Sequence, residues 1–244
     1  MELSGRTALV TGAARRVGRA IALALAREGA DVVVHYGRSA AEAEETAAAI
    51  RATGVRAWTR QADLARPEQV EALFAAVAAD PGGLDVLVNN AAVFDPTPID
   101  RLTAAAWDRQ VAINARAPAL CIRHALPLLR AGGRGAIVNV TDISAERPTA
   151  RYPAYCASKA ALLAVTRSAA RALAGENVRV NAVAPGVALW ADDADEARKR
   201  ATLARVPLNR PGTPEDVAAA VVFLARHDYM TGQHLRVDGG WNMA

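Results

Sequence analysis

Short apolar runs alternate with longer amphipathic stretches along most of the chain. Runs such as 7–11, 31–36 and 84–89 consist mainly of apolar residues, a pattern typical of strands covered on both faces of a parallel sheet. The stretches between them carry apolar residues at helical spacing, and several end at a glycine. The alternation predicts one doubly wound α/β domain with a central parallel sheet, covering residues 1–244. Ligands of such a fold bind beyond the carboxyl ends of the strands.

The predicted elements follow this alternation in order. Strands are predicted at 7–11, 31–36, 57–61, 84–89, 136–140, 178–183 and 234–237. Helices are predicted at 17–28, 40–53, 67–79, 107–129 and 215–225, and a further helix contains Tyr155 and ends at 173. The segment at about 187–206 interrupts the rhythm with a charged stretch from Asp192 to Arg200. We interpret it as a mobile lid over the substrate, and a surface helix of mixed charge is the alternative.

Composition limits the classes of partner. The formal net charge of +4 comes from scattered arginines without interleaved aromatic residues, which argues against nucleic-acid binding. No uncharged apolar stretch is long enough to span a membrane, and the cysteines and histidines lack the spacing of metal ligands. Cys121 and Cys156 lie in or beside predicted helices, and no secretory pattern precedes them. We therefore expect reduced thiols, a cytoplasmic protein and a small-molecule substrate.

A tyrosine and a lysine, Tyr155 and Lys159, lie four residues apart and would share one helix face. An ammonium group beside a phenol favours the phenolate and eases proton release, so the pair predicts a general acid. The chain has 29 lysine and arginine residues, of which only Lys159 and Lys199 are lysines. A compact, rotatable charge at 159 therefore indicates chemistry that a planar guanidinium does not perform. The alternative is a half-buried tyrosine beside a solvated lysine.

Two glycines, Gly12 and Gly18, bracket the first strand-to-helix turn. Residues without a Cβ atom let the amides of a helix N-terminus approach a pyrophosphate. The run Asn89-Asn90-Ala91 ends the fourth predicted strand. Together these features favour a nucleotide site over a purely structural turn.

The end of the second strand predicts which nucleotide binds. NAD-selective enzymes of this fold place an acid there to hold the ribose hydroxyls. This chain instead offers Arg38 and Ser39, helped by Arg15 or Arg16 from the turn, and these could hold a 2′-phosphate through charge-assisted hydrogen bonds. We therefore expect NADP (NADPH) as the cofactor. The alternative is that Arg38 is a solvated loop cation.

Across essentially its whole length the chain resembles the short-chain dehydrogenase/reductase family, whose domain is a Rossmann fold. The matching motifs are Thr11-Gly12, Asp63, Asn89-Asn90-Ala91, Asn114, Tyr155-x-x-x-Lys159, Asn181, Pro185-Gly186 and Asp238-Gly239-Gly240. The resemblance implies an oxidoreductase that assembles as a homotetramer. It also implies that Tyr155 is the proton donor, that Lys159 binds the nicotinamide ribose and that Asn114 supports a proton-relay water.

The same resemblance implies two further groups of contacts with the cofactor. Asp63 would reach the adenine, and residues 185–187 would contact the nicotinamide amide. With the turn and the second strand, the predicted cofactor-binding residues are Gly12, Arg15, Arg16, Val17, Gly18, His35, Tyr36, Arg38, Ser39, Asp63, Leu64, Asn90, Ala91, Tyr155, Lys159, Pro185, Gly186 and Val187.

Three departures from the family pattern bear on the substrate. Arg16 stands at the middle glycine of the turn, Ala92 stands where glycine is usual, and Asp142 takes the catalytic-serine position thirteen residues before Tyr155. With Phe94 and the run 35–43, they resemble the pteridine reductase branch, although Ala92 replaces a serine common there. In that branch the arginine lies near pterin and phosphate, the phenylalanine stacks on the pterin, and the aspartate takes part in proton transfer. The predicted substrate-binding residues are Arg16, Phe94, Asp142, Tyr155 and Trp190, and the predicted catalytic residues are Asp142, Tyr155, Lys159 and Asn114.

Asp142 decides between the enzymatic hypotheses. A carboxylate would repel the alkoxide that forms in ketone reduction, whereas a serine hydroxyl would donate to it. A pterin offers ring nitrogens that gain a proton and N–H groups that can donate to a carboxylate. The sequence thus predicts NADPH-dependent hydride transfer to a C=N bond of a pterin or dihydrofolate-type substrate.

Two other hypotheses stay open. The first is a carbonyl reductase of the same fold that acts on a ketone or a 3-oxoacyl thioester. In that enzyme Asp142 would cap the following turn and Ser144 would take the serine role. The second is a non-catalytic NADP-binding sensor, against which the set Asn114, Tyr155 and Lys159 argues.

Overall fold

A single seven-stranded parallel sheet forms the centre of the protein. The computed structural model describes residues 1–190 and 195–243. The strands are β1 (Thr7–Val10), β2 (Asp31–Tyr36), β3 (Ala57–Gln61), β4 (Val86–Asn89), β5 (Gly135–Val140), β6 (Val178–Pro185) and β7 (His234–Val237). Their order is β3-β2-β1-β4-β5-β6-β7, and every neighbouring pair is parallel. The predicted doubly wound α/β fold is confirmed.

Helices cover both faces of the sheet. They are α1 (Arg16–Arg27), α2 (Ala40–Arg51), α3 (Pro67–Ala79), α4 (Ala104–Val111), α5 (Ala117–Ala131), α6 (Pro153–Leu173), α7 (Glu196–Leu203) and α8 (Pro214–Arg226). Helices α1, α2 and α8 pack with Ala8 and Val10 on one face, while α3, α5 and α6 pack with Leu9 on the other. Since side chains alternate across a strand and both faces are covered, the inner strands must be mainly apolar on both sides, whereas the edge strands β3 and β7 carry exposed polar residues. That requirement explains the continuous apolar runs of the sequence.

The helix predicted at 107–129 is interrupted, and this part of the prediction is wrong. Helix α4 ends at Val111, a π-helical turn spans Ala112–Arg116, and α5 begins at Ala117. Residue 118 is a proline without an N–H group, so the carbonyl of Asn114 receives no α-helical hydrogen bond from it. The break places Asn114 within the wider turn, a type of irregularity that occurs frequently at functional sites.

The second difference concerns the charged segment at 187–206. Its described part forms α7, which begins after Asp195, whose side chain accepts a hydrogen bond from the Arg198 amide at 2.7 Å. None of the residues of α7 is buried. This matches the predicted alternative of a surface helix with mixed charge. Asp192 and Asp193 lie outside the described residues, and the motion of a lid stays a prediction.

A line of polar side chains crosses the interior between β4, β5 and α6. Asn89 donates to Asn139 at 2.8 Å, and Asn139 donates to the Thr166 hydroxyl at 2.8 Å. Thr166 in turn donates to the Leu162 carbonyl at 2.8 Å. All three side chains are buried, so each hydrogen bond replaces one that water provides in the unfolded chain. The chain of bonds fixes α6, and with it Tyr155, against the centre of the sheet.

The described part of the chain contains no helix long and apolar enough to cross a membrane. Both cysteines are free and buried, and burial raises the pKa of the Cys121 thiol to about 12. A thiol in that state is a poor nucleophile, so the structure gives Cys121 a packing role.

We predict that Thr166→Val destabilises the protein. The two side chains have nearly the same shape, but valine leaves the buried Asn139 amide without its acceptor, which costs about 1–3 kcal/mol in the free energy of unfolding. Urea denaturation of both proteins measures the difference. Ser168→Ala, on an exposed position of the same helix, is the control and is expected to change stability little. A Thr166→Val protein as stable as wild type would contradict the role of this polar chain.

Candidate active site

The four predicted catalytic residues come together at the carboxyl edge of the sheet. Tyr155 lies near the start of α6, and its hydroxyl donates to Asp142 Oδ2 at 3.0 Å. Asp142 follows β5, and its Oδ1 accepts a hydrogen bond from the Ser144 amide at 2.7 Å. Asp142 therefore caps the short turn Ile143–Ala145 and binds Tyr155 at the same time. The Ser144 hydroxyl is buried and has no hydrogen-bond partner among the described residues, Tyr155 included.

Lys159 is held beneath the tyrosine and not at its hydroxyl. Its ammonium group donates to the Val140 carbonyl at 2.7 Å and lies 5.6 Å from the centre of the Tyr155 ring. Burial lowers the pKa of Lys159 to about 8, although the nearby charge of Asp142 acts in the opposite direction. The buried position is unfavourable for the charged ammonium group because it loses hydration there. Its direct hydrogen-bond partner is a backbone carbonyl.

The electrostatic environment of Tyr155 is opposite to the predicted one. Burial, and after it the negative charge of Asp142, raises the pKa of Tyr155 well above its usual value. The expectation that Lys159 lowers this pKa is therefore wrong for the cofactor-free protein. Spacing along a helix identified the neighbouring charge of Lys159, but it gave neither the burial of the phenol nor the 3.0 Å contact with Asp142. Tyr155 keeps its proton at neutral pH.

Asn114 is fully engaged through its side chain. Its amide group donates to Val93, Gln110 and Ser158 at 2.9–3.1 Å, and its side-chain oxygen accepts from the Val93 amide at 2.9 Å. The Ser158 hydroxyl donates to the Tyr155 carbonyl at 2.7 Å. Asn114 thus connects the loop after β4 to the catalytic helix. The α-helical donor to its own carbonyl would be residue 118, which is a proline without an N–H group.

An aromatic cluster borders Tyr155. Phe94 stacks on Tyr152 with ring centres 4.2 Å apart, and it meets Tyr155 edge-on at 4.6 Å. Phe94 is 48% exposed even though it lies in this cluster, so part of its apolar surface faces solvent next to Tyr155. Arg198 of α7 donates to the Tyr152 hydroxyl at 3.1 Å. Tyr152 is absent from the predicted site residues, because its contact with Phe94 is non-local and leaves no signal in the sequence.

The glycine turn has the geometry that a pyrophosphate requires. Gly12 has a φ of +64°, in the left-handed region, and a Cβ atom at Gly18 would lie 2.1 Å from the Gly12 carbonyl oxygen. Asn90 donates to the carbonyls of Thr11 and Gly12 at 2.9 and 3.2 Å. The amides of Asn90 and Ala91 donate to the Thr11 hydroxyl at 2.9 and 3.0 Å. Both predicted glycines are therefore required by close backbone approach, and Asn90 and Ala91 hold the turn in place.

Two arginines and a valine complete this turn. Arg15 is extended, Arg16 begins α1 with a φ of +56°, and Val17 is half-buried against the core. A left-handed conformation is strained for arginine, which explains why glycine is usual at position 16 in the family. Arg16 donates to the carbonyl of Trp190 at 3.3 Å. The structure thus brings Arg16 and Trp190 together, as expected for two residues that border one site.

The end of β2 places its residues in different environments. Arg38 is exposed, its side chain forms no hydrogen bond or ion pair within the described ranges, and the half-buried Ser39 precedes α2 without capping it. Both are open to a ligand. Tyr36 is half-buried against the core. His35 is 2% exposed and uses both ring nitrogens inside the protein, so its predicted role as a direct cofactor contact requires correction.

The adenine and nicotinamide ends of the predicted site also differ. Asp63 is exposed and accepts a hydrogen bond from the Ala65 amide at 3.0 Å, whereas the Leu64 side chain is buried in the core. Pro185 ends β6. The Gly186 amide donates to Val237 at 2.9 Å, and a Cβ atom at Gly186 would lie 2.9 Å from Asp238 Cα. The Val187 carbonyl accepts from Gly212 at 2.9 Å. Within the described ranges, no three histidine, cysteine, aspartate or glutamate side chains cluster as metal ligands.

Known proteins resemble this chain along its full length. The family model described as Enoyl-(Acyl carrier protein) reductase matches residues 12–242. The 3-oxoacyl-[acyl-carrier-protein] reductase FabG of Staphylococcus aureus (strain Mu50 / ATCC 700699) is 38% identical over 242 residues, with 98% of both chains covered. The cis-4-hydroxycyclohexanecarboxylate dehydrogenase of Sinomonas cyclohexanicum is 44% identical over 241 residues, which cover 97% of this chain and 96% of the relative.

Solved structures agree with these relatives. A protein described as a short-chain alcohol dehydrogenase from Sinorhizobium meliloti 1021 superposes with a TM-score of 0.95 at 37% identity, covering 100% of this chain and 98% of the other. A blue fluorescent protein from a metagenomic library, in complex with NADPH, gives a TM-score of 0.92 at 38% identity and 99% coverage of both chains. None of these four proteins is named a pteridine reductase. The chain belongs to the short-chain dehydrogenase/reductase family.

Proposed function

We propose that this protein is an NADPH-dependent reductase that acts on a C=N bond of a flat heterocycle of the pterin type. The cofactor assignment is supported by the related NADPH complex and by Arg38 and Ser39, which stand where an NAD-selective enzyme has an acid. The substrate class is carried by one observation, the 3.0 Å hydrogen bond from Tyr155 to Asp142.

The residues present fit a dinucleotide with an extra phosphate. The turn between Gly12 and Gly18 leaves room only for backbone, and the first amides of α1 have no acceptor within the helix. Arg38 and Ser39 would hold the 2′-phosphate, Asp63 the adenine, and Gly186 with its neighbours the nicotinamide amide. When bound, NADPH supplies the hydride. Lys159 would hold the nicotinamide ribose from below the tyrosine.

Tyr155 and Asp142 together determine where one proton is held. The raised pKa keeps that proton on the Tyr155 hydroxyl until a substrate nitrogen accepts it. Asp142 repels a developing alkoxide, but it accepts hydrogen bonds from the N–H groups of an amidine-like ring. A pterin that donates to Asp142 would replace the tyrosine hydroxyl as its donor and free that hydroxyl to turn toward the ring nitrogen. The pair is thus better suited to protonating nitrogen than to stabilising negative oxygen.

The aromatic cluster supports a flat substrate. Phe94 is 48% exposed next to Tyr155, and it stacks on Tyr152. Offset stacking of a second ring on Phe94 contributes about 0.5–1.5 kcal/mol beyond the area it buries. A planar heterocycle would use this contact more fully than a flexible acyl chain.

A carbonyl reductase is the second candidate, and the relatives favour it. One is named as a 3-oxoacyl-[acyl-carrier-protein] reductase and another as a dehydrogenase of a hydroxylated ring. Oxidation or reduction at carbon–oxygen bonds is therefore the activity that sequence similarity supports. Asp142 at the serine position is the local feature that argues for nitrogen. The intact Asn114, Tyr155 and Lys159 argue against a non-catalytic sensor in either case.

Two broader features belong to the same proposal. Segment 187–206 would close over the substrate, and the bond from Arg198 to Tyr152 already connects α7 to the aromatic cluster. The homotetramer expected from the family is supported by Ala160, Ala161 and Ala164, which leave a small apolar surface of α6 exposed. Both remain predictions.

We predict that Asp142→Asn and Asp142→Ser each lower kcat/KM for a dihydropterin by about a hundredfold, the lower end for a lost acid-base group. Asparagine keeps an oxygen that can cap Ser144, but it removes the charge and places an NH2 group where Asp142 Oδ2 accepts from Tyr155. Steady-state assays with saturating NADPH compare the dihydropterin with a model 3-oxoacyl thioester. Asp108→Asn, at an exposed position of α4, is the control. Unchanged pterin kinetics, or a wild type active only on the thioester, would establish the carbonyl candidate instead.

We predict that Arg38→Ala weakens NADPH binding by about tenfold, because a charge-assisted hydrogen bond to the 2′-phosphate is lost. NADH affinity is expected to change little. Titration of cofactor fluorescence measures both dissociation constants. The control for the change in net charge is Arg27→Ala, since Arg27 is also exposed but lies at the end of α1. Equal losses for the two cofactors would contradict the assignment of Arg38 to the 2′-phosphate.

Burial of Lys159 predicts a pH-dependent cost in stability. Its pKa is about 8 in the fold and 10.5 ordinarily, so between these values the unfolded chain binds more protons. Its contribution to stability therefore rises with pH across this window and is constant below it. We expect cofactor-free Lys159→Met to be more stable than wild type at pH 7, with the difference narrowing toward pH 10.5. Urea denaturation at several pH values tests this; a less stable variant at pH 7 would show that the bond to Val140 outweighs desolvation.

A further inference from the structure

We propose that His35 is a positioning residue for the cofactor turn, which it ties to the adenine loop through one imidazole ring. The inference rests on the proposed binding of NADPH and concerns the scaffold of that site. His35 is the penultimate residue of β2, and β2 lies between β1 and β3 in the sheet. Its ring is therefore placed between the glycine turn after β1 and the loop after β3.

Two hydrogen bonds define which nitrogen of the His35 ring carries the hydrogen. The Gly12 amide donates to His35 Nδ1 at 3.1 Å, and His35 Nε2 lies 3.1 Å from the Ala62 carbonyl oxygen. An amide can only donate and a carbonyl can only accept, so Nδ1 must be unprotonated and Nε2 must carry the hydrogen. One neutral tautomer satisfies both partners. Burial favours the same neutral form, since it lowers the pKa of His35 to about 4.

The backbone of the same residue adds a third contact with the turn. The amide of Ala13 donates to the His35 carbonyl at 2.9 Å. His35 thus accepts from the first two amides after Thr11, which can no longer point toward a phosphate. The amides left without an acceptor inside the helix are those at the start of α1, beginning with Arg16. His35 therefore determines which amides of the turn the pyrophosphate can meet.

The opposite side of the ring reaches the adenine end of the site. Ala62 directly precedes Asp63, the residue expected at the adenine, and the Ala62 amide donates to the Tyr36 carbonyl at 3.1 Å. A single buried ring therefore sets the separation between the phosphate turn and the adenine loop. Neither contact requires His35 to touch the cofactor, which agrees with its 2% exposure.

Two substitutions separate positioning from simple packing. His35→Leu keeps a buried apolar side chain of similar size but removes both ring hydrogen bonds. His35→Asn places its side-chain oxygen near the position of Nδ1, so it restores the acceptor for the Gly12 amide. The shorter side chain does not reach the Ala62 carbonyl. If the ring acts through the Gly12 amide, asparagine rescues cofactor binding and leucine does not.

The experiment measures dissociation constants for NADPH by fluorescence titration, melting temperatures without cofactor, and kcat with saturating cofactor. We expect His35→Leu to weaken NADPH binding by about tenfold or more, the factor for one lost hydrogen bond of about 1.4 kcal/mol. Its kcat at saturation should stay near wild type, because the reacting groups are untouched. His35→Asn should recover most of the affinity. His124→Leu, a half-buried histidine on α5, is the matched control and should bind NADPH normally.

The outcomes discriminate clearly. A His35→Leu protein that binds NADPH as tightly as wild type overturns the inference, as does a His35→Asn protein that binds as weakly as the leucine variant. If His35→Leu fails to fold, the asparagine variant alone decides, because full affinity with a lowered melting temperature would support the Gly12 contact and tenfold weaker binding would refute it. A wild type that binds no NADPH would instead refute the proposed function.

Discussion

All seven strands run in one direction, and this constraint places the whole candidate site. In a parallel sheet every carboxyl end lies at the same edge, so residues far apart in sequence become neighbours there. The turn after β1, the end of β2, Asn90 after β4, Asp142 after β5 and Gly186 after β6 meet for this reason. The helices on both faces make the arrangement possible, because they remove water from the strands and leave the carboxyl edge for polar side chains. The common direction of the strands therefore determines both the fold and the position of the candidate site.

Burial determines the proton affinities of Tyr155 and Lys159 at the centre of the candidate site. In the trio Tyr155, Asp142 and Lys159, burial raises the pKa of Tyr155 and lowers the pKa of Lys159, and a low local dielectric strengthens the contacts of both with Asp142. The backbone secures the trio, since Ser144 donates to Asp142 and Val140 accepts from Lys159. Such an arrangement lowers the net stability of the fold in exchange for a proton held at a defined atom. The polar chain through Asn139 anchors the same helix from its other side.

Much of this could be predicted from sequence, and the failures have physical reasons. Strand and helix patterns gave the fold, because burial on two faces leaves a clear apolar signature. The signs of pKa shifts could not follow from spacing, since Tyr155 depends on burial and on Asp142 thirteen residues away. His35 looked like a ligand contact because it lies near the carboxyl end of a strand, yet its side chain is buried. Phe94 and Tyr152 meet through tertiary packing that no local pattern encodes.

The π-helical turn between α4 and α5 has a consequence for insertions and deletions. It contains one residue more than an α-helical path would need, and each residue turns a helix by about 100°. Removing one residue from 112–116 would shorten this turn and rotate α4 against α5, while Pro118 would still lack an N–H group for the α-helical hydrogen bond. Gln110, the buried residue of α4, would then turn away from the interior, and Asn114 would lose its place beside Ser158. A deletion that looks harmless because it lies inside a helical stretch would therefore displace the residues that frame the candidate site.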